Sequence, residues 1–232
     1  KLIKMIRVAV IRIIVHSKQV KAKLSQTMGV YSQYIFPRLM DFVMSSGQMS
    51  KVRAAVLSGV SGEIFEIGVG TGLNMPHYPK HVTHLTTADP NAGMSKLARN
   101  RIAESGIQVT HYTVGGESLP CKDESFDCVV CTWTLCSIPN VEQALRELRR
   151  ILRPGGKLHF VEHGLADDEG VRRWQHRLTP IQKIVSDGCH FNRDMRALIQ
   201  AQRFRFERIE NYCLHKVPRF GGYLYQGVAC KE

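Results

Sequence analysis

Five short apolar runs, at residues 63–67, 82–88, 108–113, 126–132 and 157–162, alternate with stretches of helical spacing at 72–77, 92–105 and 140–152. Parallel strands cannot be joined by a tight hairpin; they need a crossover, usually a helix. Strand, helix, strand, helix therefore predicts a mostly parallel sheet with helices on both faces, an α/β fold. After residue 162 the rhythm changes. Residues 167–186 and 192–202 read as helices, and 204–213 with 223–230 read as a closing strand pair around a loop holding Pro218, Gly221 and Gly222.

The amino end reads differently. Leu2, Ile6, Ala9, Ile13, Val20 and Leu24 form one stripe of a basic amphipathic helix over 1–25. Such a helix either lies on an anionic membrane or packs its stripe on the domain. The chain carries 32 Lys and Arg against 20 Asp and Glu, a net charge of +12. Eight of those cations precede the first acid, Asp41, seven of them within residues 1–25, so the excess speaks mainly for this segment. No aromatic-and-basic recognition motif accompanies the charge, so no nucleic-acid partner is expected. Residues 31–57 again read as helical, interrupted by Pro37 and Gly47. No uncharged run approaches the roughly 20 residues that span a bilayer. Seven scattered cysteines predict free thiols in a reducing cytoplasm. Cys128 and Cys131 sit inside a strand-like run with no partner pair at ligand spacing, so no metal is expected.

The strongest motif is Glu66-Ile67-Gly68-Val69-Gly70-Thr71-Gly72, directly after the apolar pair Ile64-Phe65. Such glycine spacing makes a tight turn and lets a ligand approach the backbone. Asp89 closes the second strand, seventeen residues after Gly72. A carboxylate there accepts bonds from the two hydroxyls of a ribose.

Further segments carry a family resemblance. Leu152-Arg153-Pro154-Gly155-Gly156-Lys157-Leu158 resembles the turn before the fifth strand of class I S-adenosylmethionine-dependent methyltransferases. Gly116-Glu117-Ser118-Leu119-Pro120 and Ser125-Phe126-Asp127-Cys128-Val129-Val130 resemble that family's adenine loop and fourth strand. With the glycine turn and Asp89, four ordered motifs cover about residues 60–162. The resemblance implies the Rossmann-like methyltransferase fold, a mostly parallel seven-stranded sheet, with S-adenosylmethionine as cofactor and S-adenosylhomocysteine as product. It implies that Glu66, Gly68, Gly70 and Gly72 surround the methionine and ribose, and that Asp89 holds the ribose. Pro90 and Asn91 would lie beside the adenine, flanked by Gly116 and Glu117. Thr132 and Trp133 would sit under the sulfonium, and Tyr31 in a lid helix. Where the family often has an aspartate, two residues before Glu117, this chain has Gly115. The expected division is 1–57 as basic and lid helices and 58–232 as the cofactor domain, with substrate-side elements at 163–222.

A narrower resemblance rests on Val130 to Ser137, Val161-Glu162-His163, Trp174-Gln175 and Asp187-Gly188-Cys189-His190. These are similar to a branch that includes animal alkyl-thiol S-methyltransferases and bacterial relatives labelled phospholipid N-methyltransferases. The resemblance implies methylation of sulfide or small alkyl thiols, with phosphatidylethanolamine N-methylation at a membrane surface as the runner-up. A non-catalytic cofactor-binding module is a lesser alternative, opposed by the intact glycine turn and Asp89. His163, Asp187 and His190 are the catalytic candidates, because a thiol must lose its proton before it attacks. The expected location is cytoplasmic or peripheral to membrane, with residues 1–25 as the anionic-membrane contact.

Overall fold

The computed structural model describes residues 35–232, and only the backbone of 93–96. The helix expected over 1–25 and Tyr31 lie outside the described residues. The described chain opens with α1 (Phe36–Met44) and α2 (Gly47–Leu57), so the stretch read as one interrupted helix is two. Then come β1 (Ile64–Ile67), a 3-10 turn at Met75–His77, β2 (His84–Ala88), α3 (Ala92–Ser105) and β3 (Gln108–Tyr112). They are followed by β4 (Phe126–Thr132), α4 (Val141–Ile151), β5 (Leu152–His163), α5 (Glu169–Val185) and α6 (Met195–Ala201). The chain closes with β6 (Phe204–Cys213), α7 (Arg219–Gly222) and β7 (Tyr223–Lys231).

The seven strands form one sheet in the order β3-β2-β1-β4-β5-β7-β6. All neighbours are parallel except β7, which runs antiparallel between β5 and β6. The Leu152–Gly156 stretch, expected as a turn before β5, is the start of β5 itself. Leu152 pairs with Phe126, and the register then slips before Cys128 meets Lys157.

Side chains of adjacent strand residues point to opposite faces, and the core divides accordingly. Phe65, Ile67, Val129 and Cys131 join the larger cluster, with α4 packed on it. Ile64, Cys128 and Val130 join the other, with Leu57, Met75 and Tyr78. Cys128 and Cys131 therefore lie on opposite faces of the sheet. The central strands are buried on both faces, which is why they read as unbroken apolar runs. Edge strand β6 alternates with exposed polar residues.

Helix α4 shows how local sequence sets the packing. Asn140 caps it by accepting from the Gln143 amide. Val141, Ala144, Leu145, Leu148 and Ile151 recur at helical spacing and are buried. Arg149 and Arg150 stand in its last turn, where the helix dipole favours cations. Among the described residues no helix is long and apolar enough to cross a membrane, and all seven cysteines are free.

The core assignment makes a paired prediction. Phe160 is fully buried and packs toward Phe206, with ring centroids 6.1 Å apart; Phe160→Ala should lower unfolding free energy by about 3–5 kcal/mol. Phe42 is 81% exposed, and Phe42→Ala should stay within about 0.5 kcal/mol of the parent. Urea denaturation of both variants reads the contrast.

Candidate active site

Parallel register brings the carboxyl ends of β1, β2, β4 and β5 side by side. Ile67 pairs with both Ala88 and Cys131, and Thr132 pairs with Val161. The next residues along each strand therefore emerge together: Gly68, Asp89, Trp133 and Glu162. Ligands of open α/β sheets bind at this edge.

The glycine turn has the expected form. Gly68, Gly70 and Gly72 all take positive φ, at 75°, 55° and 79°. The space that a side chain at Gly68 would fill is held by the Thr134 side chain. Gly116 is likewise closed by packing, against the Ile67 side chain. At these two positions glycine admits a protein neighbour rather than open space. Asp89 accepts from the Gly70 amide at 2.9 Å and the Asn91 amide at 2.8 Å. It is 5% exposed, and burial raises its pKa against those two bonds. Pro90 and Asn91 follow at the head of α3. Glu117 reaches α4, accepting from the Asn140 amide at 3.3 Å.

Glu66 is the buried acid of the site. It accepts from Asn74 Nδ2 and from the Tyr78 hydroxyl, both at 2.8 Å. Burial pushes its pKa up to about 7, against those two bonds and the nearby Arg53 charge. Asn74 Nδ2 also donates to Thr132 Oγ1 at 3.0 Å, joining the glycine turn to the end of β4. Arg53 of α2 lies 4.9 Å over the Trp133 ring and donates to the Met44 carbonyl at 2.8 Å. Its own pKa falls to about 10 through burial, so it stays charged at neutral pH. Arg53, Asn74 and Tyr78 were missed in the sequence. Arg101 of α3 donates to both oxygens of Asp41, at 2.6 and 3.0 Å, and to the Thr71 carbonyl at 2.7 Å. That pair ties α1 to the glycine turn.

The loop after β4 is organised by Glu162, which is fully buried. One carboxylate oxygen accepts from the Thr134 amide (2.8 Å), the Leu135 amide (2.9 Å) and Cys131 Sγ (3.1 Å). The other accepts from the Cys136 amide at 3.0 Å. Trp133 opens the loop in the left-handed region, at φ 51°. Arg193 adds bonds to the Leu135 and Pro139 carbonyls.

The three catalytic candidates meet this loop or stand beside it. His163 ends β5 with its Nδ1 3.8 Å from Cys136 Sγ and 3.6 Å from Cys189 Sγ. His190 Nδ1 donates to the Cys136 carbonyl at 3.1 Å, a tautomer that leaves Nε2 as the basic nitrogen. Burial, then the Arg193 charge, lowers its pKa and keeps it neutral. Asp187 takes φ 44° in the turn before Gly188, and its charge raises the Asp89 pKa. The substrate-side residues Gln175 and Trp174 divide: Gln175 is buried and bonded to the Ala166 amide and Gly164 carbonyl, while Trp174 is 54% exposed.

This arrangement predicts a steep cost for one change. Glu162→Ala strands three amides, two of them fully buried, and stability should fall by about 3 kcal/mol. Amide hydrogen exchange in that variant should speed up at Thr134, Leu135 and Cys136 before the rest of the sheet; uniform exchange would contradict the assigned role.

Comparisons with known proteins agree with this geometry. A family described as a methyltransferase domain matches residues 65–160. The thiol S-methyltransferase TMT1A of Homo sapiens is 34% identical over 174 residues, covering 73% of this chain and 66% of that protein. A phosphatidylethanolamine N-methyltransferase of Cereibacter sphaeroides is 33% identical over 119 residues, covering 50% of this chain and 58% of that protein. This chain thus spans just under two thirds of the thiol S-methyltransferase's length and less of the other. Among solved structures, an S-adenosylmethionine-dependent methyltransferase of Thermotoga maritima, described as a possible histamine N-methyltransferase, superposes with a TM-score of 0.63. It is 21% identical, covering 88% of this chain and 98% of that one. The matched domain runs over the strands that carry the glycine turn, Asp89 and the start of the Glu162-bound loop. On that correspondence the chain carries a methyltransferase domain on the fold of the S-adenosylmethionine-dependent methyltransferases.

Proposed function

We propose that this chain methylates sulfide or small alkyl thiols, releasing a methyl thioether and S-adenosylhomocysteine. The observation that carries the reading is the convergence of Cys136, His163, Cys189 and His190 on the loop after β4. Soft and basic side chains line the acceptor side there, as a thiol's sulfur and its proton require. The likeness to TMT1A, longer than that to the phosphatidylethanolamine enzyme, supports the same choice.

The cofactor fits the residues present. Asn74 Oδ1 and Trp133 Nε1 are buried without a hydrogen-bond partner among the described residues. One is an acceptor and the other a donor, and the amino-acid end of S-adenosylmethionine brings both an ammonium and a carboxylate. In this reading Glu66, Gly68, Gly70 and Gly72 hold the methionine and ribose, with Asp89 on the ribose hydroxyls. Pro90, Asn91, Gly116 and Glu117 border the adenine, and Thr132 and Trp133 face the sulfonium. Bound S-adenosylmethionine supplies a methyl group already activated as a sulfonium. The chain's residues therefore position and desolvate the acceptor. The acceptor thiol gives its proton to His190 Nε2 or to solvent. The deprotonated sulfur would then be placed to accept the methyl group that the bound cofactor supplies. Asp187, whose charge acts on Asp89, stands on the ribose side.

A second reading, N-methylation of phosphatidylethanolamine, is favoured by exposed apolar residues: Leu39 and Phe42 on α1, Trp174, Ile181 and Ile184 on α5. Residues 1–25 would then add a cationic contact with anionic lipid.

Glu66 gives the cofactor half of the proposal a pH signature. The folded chain holds the Glu66 proton up to about pH 7, whereas the ordinary glutamate value is 4.5. Stability from this group is thus greatest at low pH and declines as pH rises through that window. A cation seated beside Glu66 favours the ionised form. Cofactor affinity should therefore climb with pH to about 7 and level off, with proton release below it, and Glu66→Gln should flatten the profile. Calorimetry in buffers of different ionisation enthalpy measures both effects.

The acceptor half is tested by S-adenosylhomocysteine release with sulfide, methanethiol, larger thiols and phosphatidylethanolamine vesicles. Turnover should appear with thiols and rise with pH. A rising limb that stays fixed across thiols assigns it to a protein base, and His190→Gln should remove it. Turnover with vesicles alone would replace the thiol reading by the lipid one.

A further inference from the structure

Cys136, His163 and Cys189 come from three separate elements: the loop after β4, the end of β5 and the turn after α5. Their ligand atoms form a small triangle. Cys189 Sγ is 3.5 Å from Cys136 Sγ, and His163 Nδ1 is 3.8 and 3.6 Å from the two sulfurs. A tetrahedral zinc ion with Zn–S of about 2.3 Å and Zn–N of about 2.0–2.1 Å sets ligand separations of about 3.8 Å between sulfurs and about 3.6 Å between sulfur and nitrogen. The three observed edges lie within about 0.3 Å of those values. A disulfide needs the sulfurs at about 2.05 Å, far inside the observed contact.

We propose that Cys136, Cys189 and His163 bind one thiophilic divalent cation of the zinc class, leaving its fourth position for an external ligand. No fourth His, Cys, Asp or Glu joins the group among the described residues. Three protein ligands and an open position are the pattern of reactive rather than structural zinc. Both cysteines are buried, at 1% and 4% exposure, so the ligands are shielded, and half-buried His163 marks the accessible side. The surroundings hold the geometry. Glu162 fixes the Cys136 amide. The His190 amide and ring both bond the Cys136 carbonyl. Cys189 is presented by a tight turn in which Gly188, at φ 94°, lies against the Ser137 carbonyl, 2.9 Å from where a Cβ would be. Arg193 lies close enough for its charge to act on both sulfurs. Sequence spacing hides this set, because its members stand 26 to 53 residues apart.

On the thiol reading proposed above, the fourth ligand is the acceptor itself. A thiol binding there loses its proton to solvent and becomes a metal-bound thiolate, the form that attacks. The metal site is tested without any acceptor, so the two ideas fail separately.

The full chain is freed of metal under reducing conditions and titrated with zinc against a chromophoric chelator, then with cobalt followed by absorption. The expected result is one equivalent of zinc bound and a thiolate-to-cobalt charge-transfer band. Cys136→Ser and Cys189→Ser should each weaken zinc binding by about 100-fold or more, while exposed Cys213→Ser should not. His163→Gln should keep the thiolate band but weaken binding, and cofactor calorimetry should show each variant folded. Absence of stoichiometric zinc binding by the wild-type chain, or of a thiolate band with cobalt, overturns the proposal. So does equal binding by the Cys136 and Cys189 variants. Zinc binding with no turnover of any thiol keeps the metal site and removes the thiol acceptor.

Discussion

A single carboxylate holds the loop after β4 together. Glu162 stands one residue before the end of buried β5 and receives three backbone amides and one thiol from β4 and the loop after it. Three of these donors converge on one oxygen and the fourth takes the other, so both carboxylate oxygens are engaged. The loop therefore has no need of regular secondary structure: its amides, which would be orphaned at the end of β4, are satisfied by a side chain from β5. The left-handed Trp133 is tolerated because the bonds on either side of it over-determine the path.

Glu66 plays the corresponding part beside the glycine turn, with a difference. Its partners Asn74 and Tyr78 are side chains, not amides, and they leave it less stabilised as an anion. Burial wins, and the acid sits near neutrality. One buried acid thus acts as a structural hub and the other as a group whose charge depends on what lies against it. Thr132 links them, since Asn74 bonds both Glu66 and Thr132, and the backbone passes from Thr132 into the loop that Glu162 holds.

The strands were legible because β1 and β4 are buried on both faces and sharply bounded, and the glycine turn because its spacing is local. Asp89 was legible for the same reason. What the sequence did not reveal is of two kinds. Arg53 and Asn74 occupy segments read as helix and Tyr78 directly follows one, where nothing in the spacing says which polar side chain turns inward. Cys136, His163 and Cys189 are brought together by β5 and the turn after α5, and no local pattern encodes a meeting of three elements. The Leu152–Gly156 motif was correctly placed in the chain but read as a turn, because its glycines masked a strand that begins with a register slip.

Arg101 divides one guanidinium between Asp41 on α1 and the Thr71 carbonyl in the glycine turn. The two sites thereby share a free energy. Whatever settles the turn against Arg101 also settles α1, and by reciprocity the docking of α1 strengthens whatever the turn holds, by the same factor. The helix leading into the sheet is in this sense an effector covalently joined to its own receptor, and its effective concentration is set by the few residues that tether it.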